Sequence, residues 1–185
     1  MGDSPQRMVW VDLEMTGLNP DVSVIVEIAT IVTESDLTVV AEGPSLVIHQ
    51  PDDVLAAMND FVRDLHTRSG LLDRIRTSTV SLAEATSQTV AFLERHVPKG
   101  TAPLCGNSVW KDRAFLERYM PPVVDHLHYR IVDVSTLKEL ARRWYPASLL
   151  PLKKKEAHRA LDDIRESIEE LRFYRDRLFV RPPAA

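Results

Sequence analysis

The chain has 185 residues, 44% hydrophobic and 27% charged, which is ordinary globular usage and room for one domain rather than two independent cores. Acids outnumber bases 27 to 23, for a formal net charge of −4; that is the wrong sign for coating long nucleic acid, so a nucleic-acid substrate should be short or held through metal ions. A single cysteine, Cys105, excludes a disulfide scaffold and a Cys-rich zinc site.

No run approaches the roughly 20 apolar residues of a membrane span. The opening MGDSPQR is too polar for a signal peptide, and Gln6 stands where a myristoylation signal carries Ser or Thr. A soluble, reduced, cytoplasmic protein with no membrane partner is expected.

Met8 to Leu13 reads as a strand, with Val9, Val11 and Leu13 on one face and Met8, Trp10 and Asp12 on the other. A turn follows at Thr16-Gly17-Leu18-Asn19-Pro20. Val22 to Thr33 is β-branched and apolar enough for a central strand. Leu37 to His49 is a third strand, bulged or edge-placed by Gly43-Pro44. Short connections make these three an antiparallel meander.

Beyond them, Asp52 to Leu65 and Gly70 to Arg76 read as short helices. Ser81 with Glu84 three residues on is a capping box, opening a helix that Pro98 and Gly100 stop. Pro103 to Gly106 is a short strand, and Trp110 to Tyr119 a helix ended by Pro121-Pro122. Arg130 to Val134 is a strand, Ser135 to about Trp144 a helix, and Ala160 to Leu178 the last helix. Together these are an α/β domain with a mixed sheet.

The informative residues are acids that break the burial pattern. Asp12 and Glu14 project from the same strand face. Side by side they repel, and a divalent cation removes that penalty, since hard cations prefer carboxylate oxygen. A strand that has already ended would solvate both equally well. Asp112 shares a helix side with Phe115, Leu116 and Tyr119, a costly position for an unpaired acid; it is also a first-turn acid that the helix dipole favours.

On the last helix, Ile164, Ile168 and Leu171 mark the core face. Asp162 points away into solvent, and Asp163 flanks the stripe in line with Ala160 and Ser167. Glu27, inside Val-Ile-Val-Glu-Ile-Ala, has two readings, a further metal ligand or a structural acceptor; it is expected to accept hydrogen bonds from the Thr16-Gly17 turn. Acids from separated elements plus His158, whose imidazole titrates near neutrality, suggest a two-metal site that activates water for phosphoryl displacement.

The order Asp12-x-Glu14, then Asp112, then His158-x-x-x-x-Asp163 resembles the DEDD-type 3′→5′ exonucleases in the variant with a His general base. The blocks VWVDLEMTGLNP, VIVEIATIVTE, GNSVWKDRAFL, YRIVDVSTLKELARRWYP and HRALDDIRESIEELRFYR narrow the resemblance to the oligoribonuclease family, from about Met8 to Leu178.

That resemblance implies a ribonuclease H-like α/β fold: a five-stranded mixed sheet, a three-strand antiparallel meander plus two parallel strands, flanked by helices. It implies a single exonuclease domain over residues 1–185, with 1–7 and 180–185 as loose tails, and a homodimer. It also implies two divalent cations, Mg²⁺ or Mn²⁺, on Asp12, Glu14, Asp112 and Asp163, with His158 as the base. The substrates would be dinucleotides and other short RNA oligonucleotides, cleaved from the 3′ end to 5′-mononucleotides.

A cap on the substrate's 5′ phosphate matches Ser108, Arg130, Ser135 and Thr136. The chemistry suits it, because Arg forks onto phosphate oxygens and a helix start at Ser135 favours an anion. Ser135 in that position is equally an ordinary helix N-cap. Leu18 matches a wedge between the two bases. Phe61 matches an aromatic platform where the family usually carries Trp. His66 and Tyr129 match further substrate positions, Tyr129 through the partner subunit. The run Lys153-Lys154-Lys155 reads as a solvated loop. A longer-substrate trimming exonuclease, or a dead homologue that only binds dinucleotides, are the alternatives; the presence of all five chemical residues weighs against the second.

Overall fold

The computed structural model describes residues 7–147 and 159–180. Five strands form one sheet in the order β3-β2-β1-β4-β5: β1 (Met8–Met15), β2 (Ile25–Thr33), β3 (Val39–Val47), β4 (Pro103–Gly106) and β5 (His128–Asp133). The pairs β1–β2 and β2–β3 are antiparallel, and β1–β4 and β4–β5 are parallel. This is the mixed sheet expected.

Side-chain alternation on β1 assigns each face to a different helical layer. Val9, Val11 and Leu13 pack with Phe92, Leu93, Phe115, Leu116 and Val123, from α4 (Leu82–His96), α5 (Trp110–Tyr119) and α6 (Pro121–His126). Trp10 packs on the opposite side with Ala141, Ile164, Ile168 and Tyr174, from α7 (Val134–Trp144) and α8 (Ala160–Leu178). β2 is buried along its whole length, so its near-continuous apolar run follows from having helices on both faces.

β3 is an edge strand, and its register with β2 slips between Ala29 and Ile31, opposite Gly43-Pro44. The glycine has a packing reason: a Cβ there would sit 2.7 Å from the Phe92 ring of α4.

Three local expectations need correction. The stretch from Asp52 to Leu65 is two helices, α1 (Asp52–Ala56) and α2 (Asp60–Arg68), because the Asn59 side chain accepts the Val62 N–H and starts a new one. With α3 (Leu71–Thr77), they pack over Val26 and Val47 as a separate apolar cluster. Pro121-Pro122 ends α5 but also opens α6, since proline is tolerated where a first-turn N–H has no partner. α7 begins at Val134, and its cap is Asp133, whose carboxylate accepts the Ser135 N–H at 2.9 Å; Ser135 lies inside the helix.

Candidate active site

The three parallel strands point their carboxyl ends at one edge of the sheet, where open α/β folds place ligands. Asp12 and Glu14 close β1, Asn107 and Ser108 follow β4, and Ser135 and Thr136 follow β5. α8 crosses the face of β1 that carries Trp10, Asp12 and Glu14, which brings Asp163 alongside. Asp12, Glu14 and Asp163 each offer a ligand atom, and these atoms lie within 4.8 Å of one another.

Asp112 is not part of that triad. It comes from α5 on the opposite face, is 6% exposed, and accepts the Leu13 N–H at 3.0 Å between the two β1 acids. Its charge is nevertheless felt at Glu14. Burial pushes the Glu14 carboxyl up to about 8, with further pushes from Asp163, Glu27 and Asp112, against a pull from Arg159. Burial likewise raises Asp112 to about 7, opposed by the Leu13 N–H and assisted by Asp133. Carboxyls raised this far, and crowded this closely, are the donor set that a divalent cation would neutralise. The residues present therefore fit hard-metal binding.

Glu27 has a different partner from the one expected. It is 0% exposed and receives Arg159 on both oxygens, Nη2 at 2.8 Å and Nε at 3.2 Å to each. The turn satisfies itself, with Thr16 Oγ1 accepting the Val24 N–H. Arg159 carries no distinguishing signal in the sequence, where it is one more base in a charged stretch. In the fold it moors the start of α8 to β2, opposite Glu14 in the β1–β2 register.

His158 and Lys153-Lys154-Lys155 lie outside the described residues. His66 on α2 is buried and near the acids: Nε2 is 2.9 Å from the Met15 carbonyl and Nδ1 is 3.9 Å from Glu14 Oε2. Leu18 and Phe61 are 70% and 73% exposed, which leaves two large apolar groups facing water.

Tyr129 and Arg130, near the start of β5, are exposed, as is Thr136 past its carboxyl end. The Arg130 guanidinium lies 5.4 Å from the Tyr129 ring centroid and forms no ion pair among the described residues. Ser108 and Ser135 meet through their hydroxyls at 3.1 Å, and the Ser108 N–H is shared between Ser135 Oγ and Asp133 Oδ1, each at 2.9 Å.

An exonuclease family model of the RNase T type matches residues 9–171. In fold alone, E. coli exonuclease I in complex with a 5cy-dT13 oligonucleotide is similar with a TM-score of 0.72 at 13% identity, over 95% of this chain and 42% of that one. Sheet order, acid cluster and family match define a nuclease-type hydrolase of the ribonuclease H-like exonuclease class. An oligoribonuclease of Pseudomonas paraeruginosa is 59% identical over 173 residues, 94% of this chain and 96% of its own. One of Vibrio vulnificus is 55% identical over 179 residues, 97% and 99% of the two chains. The chain belongs to the oligoribonuclease family.

Proposed function

We propose that the chain is a 3′→5′ exoribonuclease of dinucleotides and other very short RNAs, releasing 5′-mononucleotides. Asp12, Glu14, Asp112 and Asp163 would hold two divalent cations, Mg²⁺ or Mn²⁺, and His158 would be the general base. The observation that carries this is the meeting of Asp12, Glu14 and Asp163 within 4.8 Å, on a sheet edge that also carries Ser108, Ser135 and Thr136. When bound, such cations stabilise the charge that develops on the attacking and leaving oxygens of a phosphodiester.

The chain's own residues do the rest. His158 takes the proton of the attacking water. The bond between phosphorus and the 3′ oxygen of the upstream nucleotide breaks, that oxygen is protonated, and the released nucleotide keeps a 5′ phosphate. Asp112, anchored by the Leu13 N–H, sets its carboxylate against the strand that carries the other two acids.

At the other end of the substrate, Arg130, Ser108, Ser135 and Thr136 bind the 5′ phosphate. Leu18 wedges between the bases and Phe61 stacks; both apolar groups stand in solvent, where an aromatic or aliphatic surface is available to a base. His66 borders the same substrate, and Tyr129 does so across the dimer, at the partner subunit's site. A homodimer fits the exposed edge strand β5 with Tyr129 and Ile131 outward, and a cytoplasmic site of action fits the substrate. Among the described residues no helix is long and apolar enough to cross a membrane.

A chain-length series of 5′-phosphorylated RNAs with Mn²⁺ tests this reading. Dinucleotides should show the highest kcat/KM, falling steeply by the tetramer. Length-independent turnover would reassign the chain to a general trimming role, and binding without mononucleotide release would refute the hydrolase mechanism.

A further inference from the structure

The two ends of the proposed substrate site are joined by one side chain that neither end requires for its own chemistry. Asn107, just past β4, donates both amide hydrogens to α8: Nδ2 lies 2.7 Å from Ser167 Oγ and 3.2 Å from Glu170 Oε2. Ser167 passes its own proton to the carbonyl of Asp163 at 2.7 Å, the acid-bearing turn. The opposite end of the amide, Oδ1, accepts from Ser135 Oγ at 3.2 Å on α7. One planar group thus spans from the helix of the acid cluster to the serine pair.

Its orientation is not free. A flipped amide would set its oxygen against the Glu170 carboxylate, acceptor on acceptor. Glu170 is 5% exposed and is itself held by Tyr174 Oη and by Lys138 Nζ of α7, each at 3.0 Å. With the Ser135 proton committed to Asn107, the Ser135 oxygen accepts from Ser108, through the Ser108 N–H and hydroxyl. Ser108 is held at φ 53°, a left-handed conformation that a non-glycine residue adopts when its surroundings impose it. Asp133 holds the backbone N–H of both serines, and Asn107 sets which way their hydroxyls run and ties them to α8.

We propose that Asn107 is a positioning residue that fixes the span between the acid cluster and the 5′-phosphate serines, and so sets the RNA length the site accepts. The proposal rests on the phosphate-cap reading above. Asn107→Asp removes the donors and places a carboxylate against Glu170. Adding Glu170→Gln returns a donor to that contact and restores the charge balance.

The measurement is KM and kcat for 5′-phosphorylated and unphosphorylated dinucleotides and a phosphorylated tetramer, with native folding verified by circular dichroism. Asn107→Asp should raise KM for the phosphorylated dinucleotide about tenfold, the loss of one charge-linked hydrogen bond. The unphosphorylated dinucleotide should shift much less, and the dimer-over-tetramer preference should shrink. Asn107→Asp/Glu170→Gln should recover most of the loss.

Equal losses on all three substrates, or no recovery in the double variant, would make Asn107 merely structural and overturn the inference. Ser135→Ala and Arg130→Ala run beside it identify the other mode of failure. If these are also indifferent to the 5′ phosphate, the cap reading falls and this inference with it; if they discriminate and Asn107→Asp does not, the inference alone is wrong.

Discussion

The two corners of the sheet edge are built on opposite principles. At the end of β1, Asp12, Glu14 and Asp163 are crowded and half-buried beside the buried Asp112, and Glu14 and Asp112 are pushed up to about 8 and 7. Around β5, Arg130 near its start and Thr136 past its end are exposed, and the serine pair is satisfied by Asn107, Asp133 and each other. Water can serve the second corner when it is empty, whereas the first remains electrostatically unfavourable until a cation arrives. Glu27 shows what a permanent solution looks like: facing Glu14 across the β1–β2 register, it is completely buried and answered by Arg159. At Glu14 burial and repulsion outweigh the pull of Arg159, beside a glutamate that Arg159 pairs directly, and that imbalance marks where a ligand belongs rather than where the fold needs support.

The widest separation between the corners should come from Asp112→Asn. The amide keeps an oxygen for the Leu13 N–H, so the fold should survive. Removing the charge should cut turnover by about a thousandfold or more, the scale on which removing one member of a catalytic unit acts. Glu27→Gln should do the reverse: it leaves Arg159 without its countercharge and should cost about 3 kcal/mol of stability, the scale for breaking a buried pair. Denaturant melts and single-turnover kinetics on both variants check the contrast. Near-normal turnover in Asp112→Asn would remove that residue from the metal site.

At the proposed phosphate corner the effects should be smaller and selective. Arg130 has no carboxylate partner among the described residues, so Arg130→Ala should leave folding alone. It should weaken 5′-phosphorylated dinucleotides by about 10- to 100-fold, the range of a charge-assisted hydrogen-bond pair, with little change for the unphosphorylated form. Competition binding with both dinucleotides reads this directly; equal weakening would mean a structural arginine.

Much of this arrangement is legible in the sequence because burial patterns are local. The alternation of β1 separates Val9, Val11 and Leu13 from Trp10, Asp12 and Glu14, and the structure gives these two sets to different helical layers. The wheel of α8 puts Asp162 in solvent, where it pairs with Arg165, and Asp163 on the flank where the other acids meet it.

Long-range pairing is what local pattern does not carry. Nothing near Glu27 in the chain points to Arg159, which lies 132 residues away, and a turn next door was the natural but wrong partner. Asn107 reads as an ordinary loop residue after a short strand. Glu170 could have been found: it follows Asp163 and Ser167 along one flank of α8, an acid on a half-buried stripe. The Asp133 cap was hidden because Ser135 is an equally good cap by residue type, and only the backbone decides between them.

The smallest effect concerns stability, and its sign separates the corners most cleanly. Glu14 is raised from 4.5 to about 8 and Asp112 from 3.8 to about 7. An acid raised by folding binds its proton more tightly in the folded state than in the unfolded chain. Its stabilising contribution is therefore complete below pH 4 and is lost as pH rises through about 7 to 8. The metal-free protein should melt on the order of 5 °C lower at pH 8.5 than at pH 5.5. Mn²⁺ binds the ionised carboxylates, so it should raise the Tm more at pH 8.5 than at pH 5.5, narrowing the difference. Glu14→Gln should flatten the metal-free pH dependence, while Arg130→Ala, at the other corner, should leave it as it is. A metal-free Tm that rises over this interval, or a Mn²⁺ shift indifferent to pH, would mean that the acids are already balanced within the protein and that the cluster has no need of a cation.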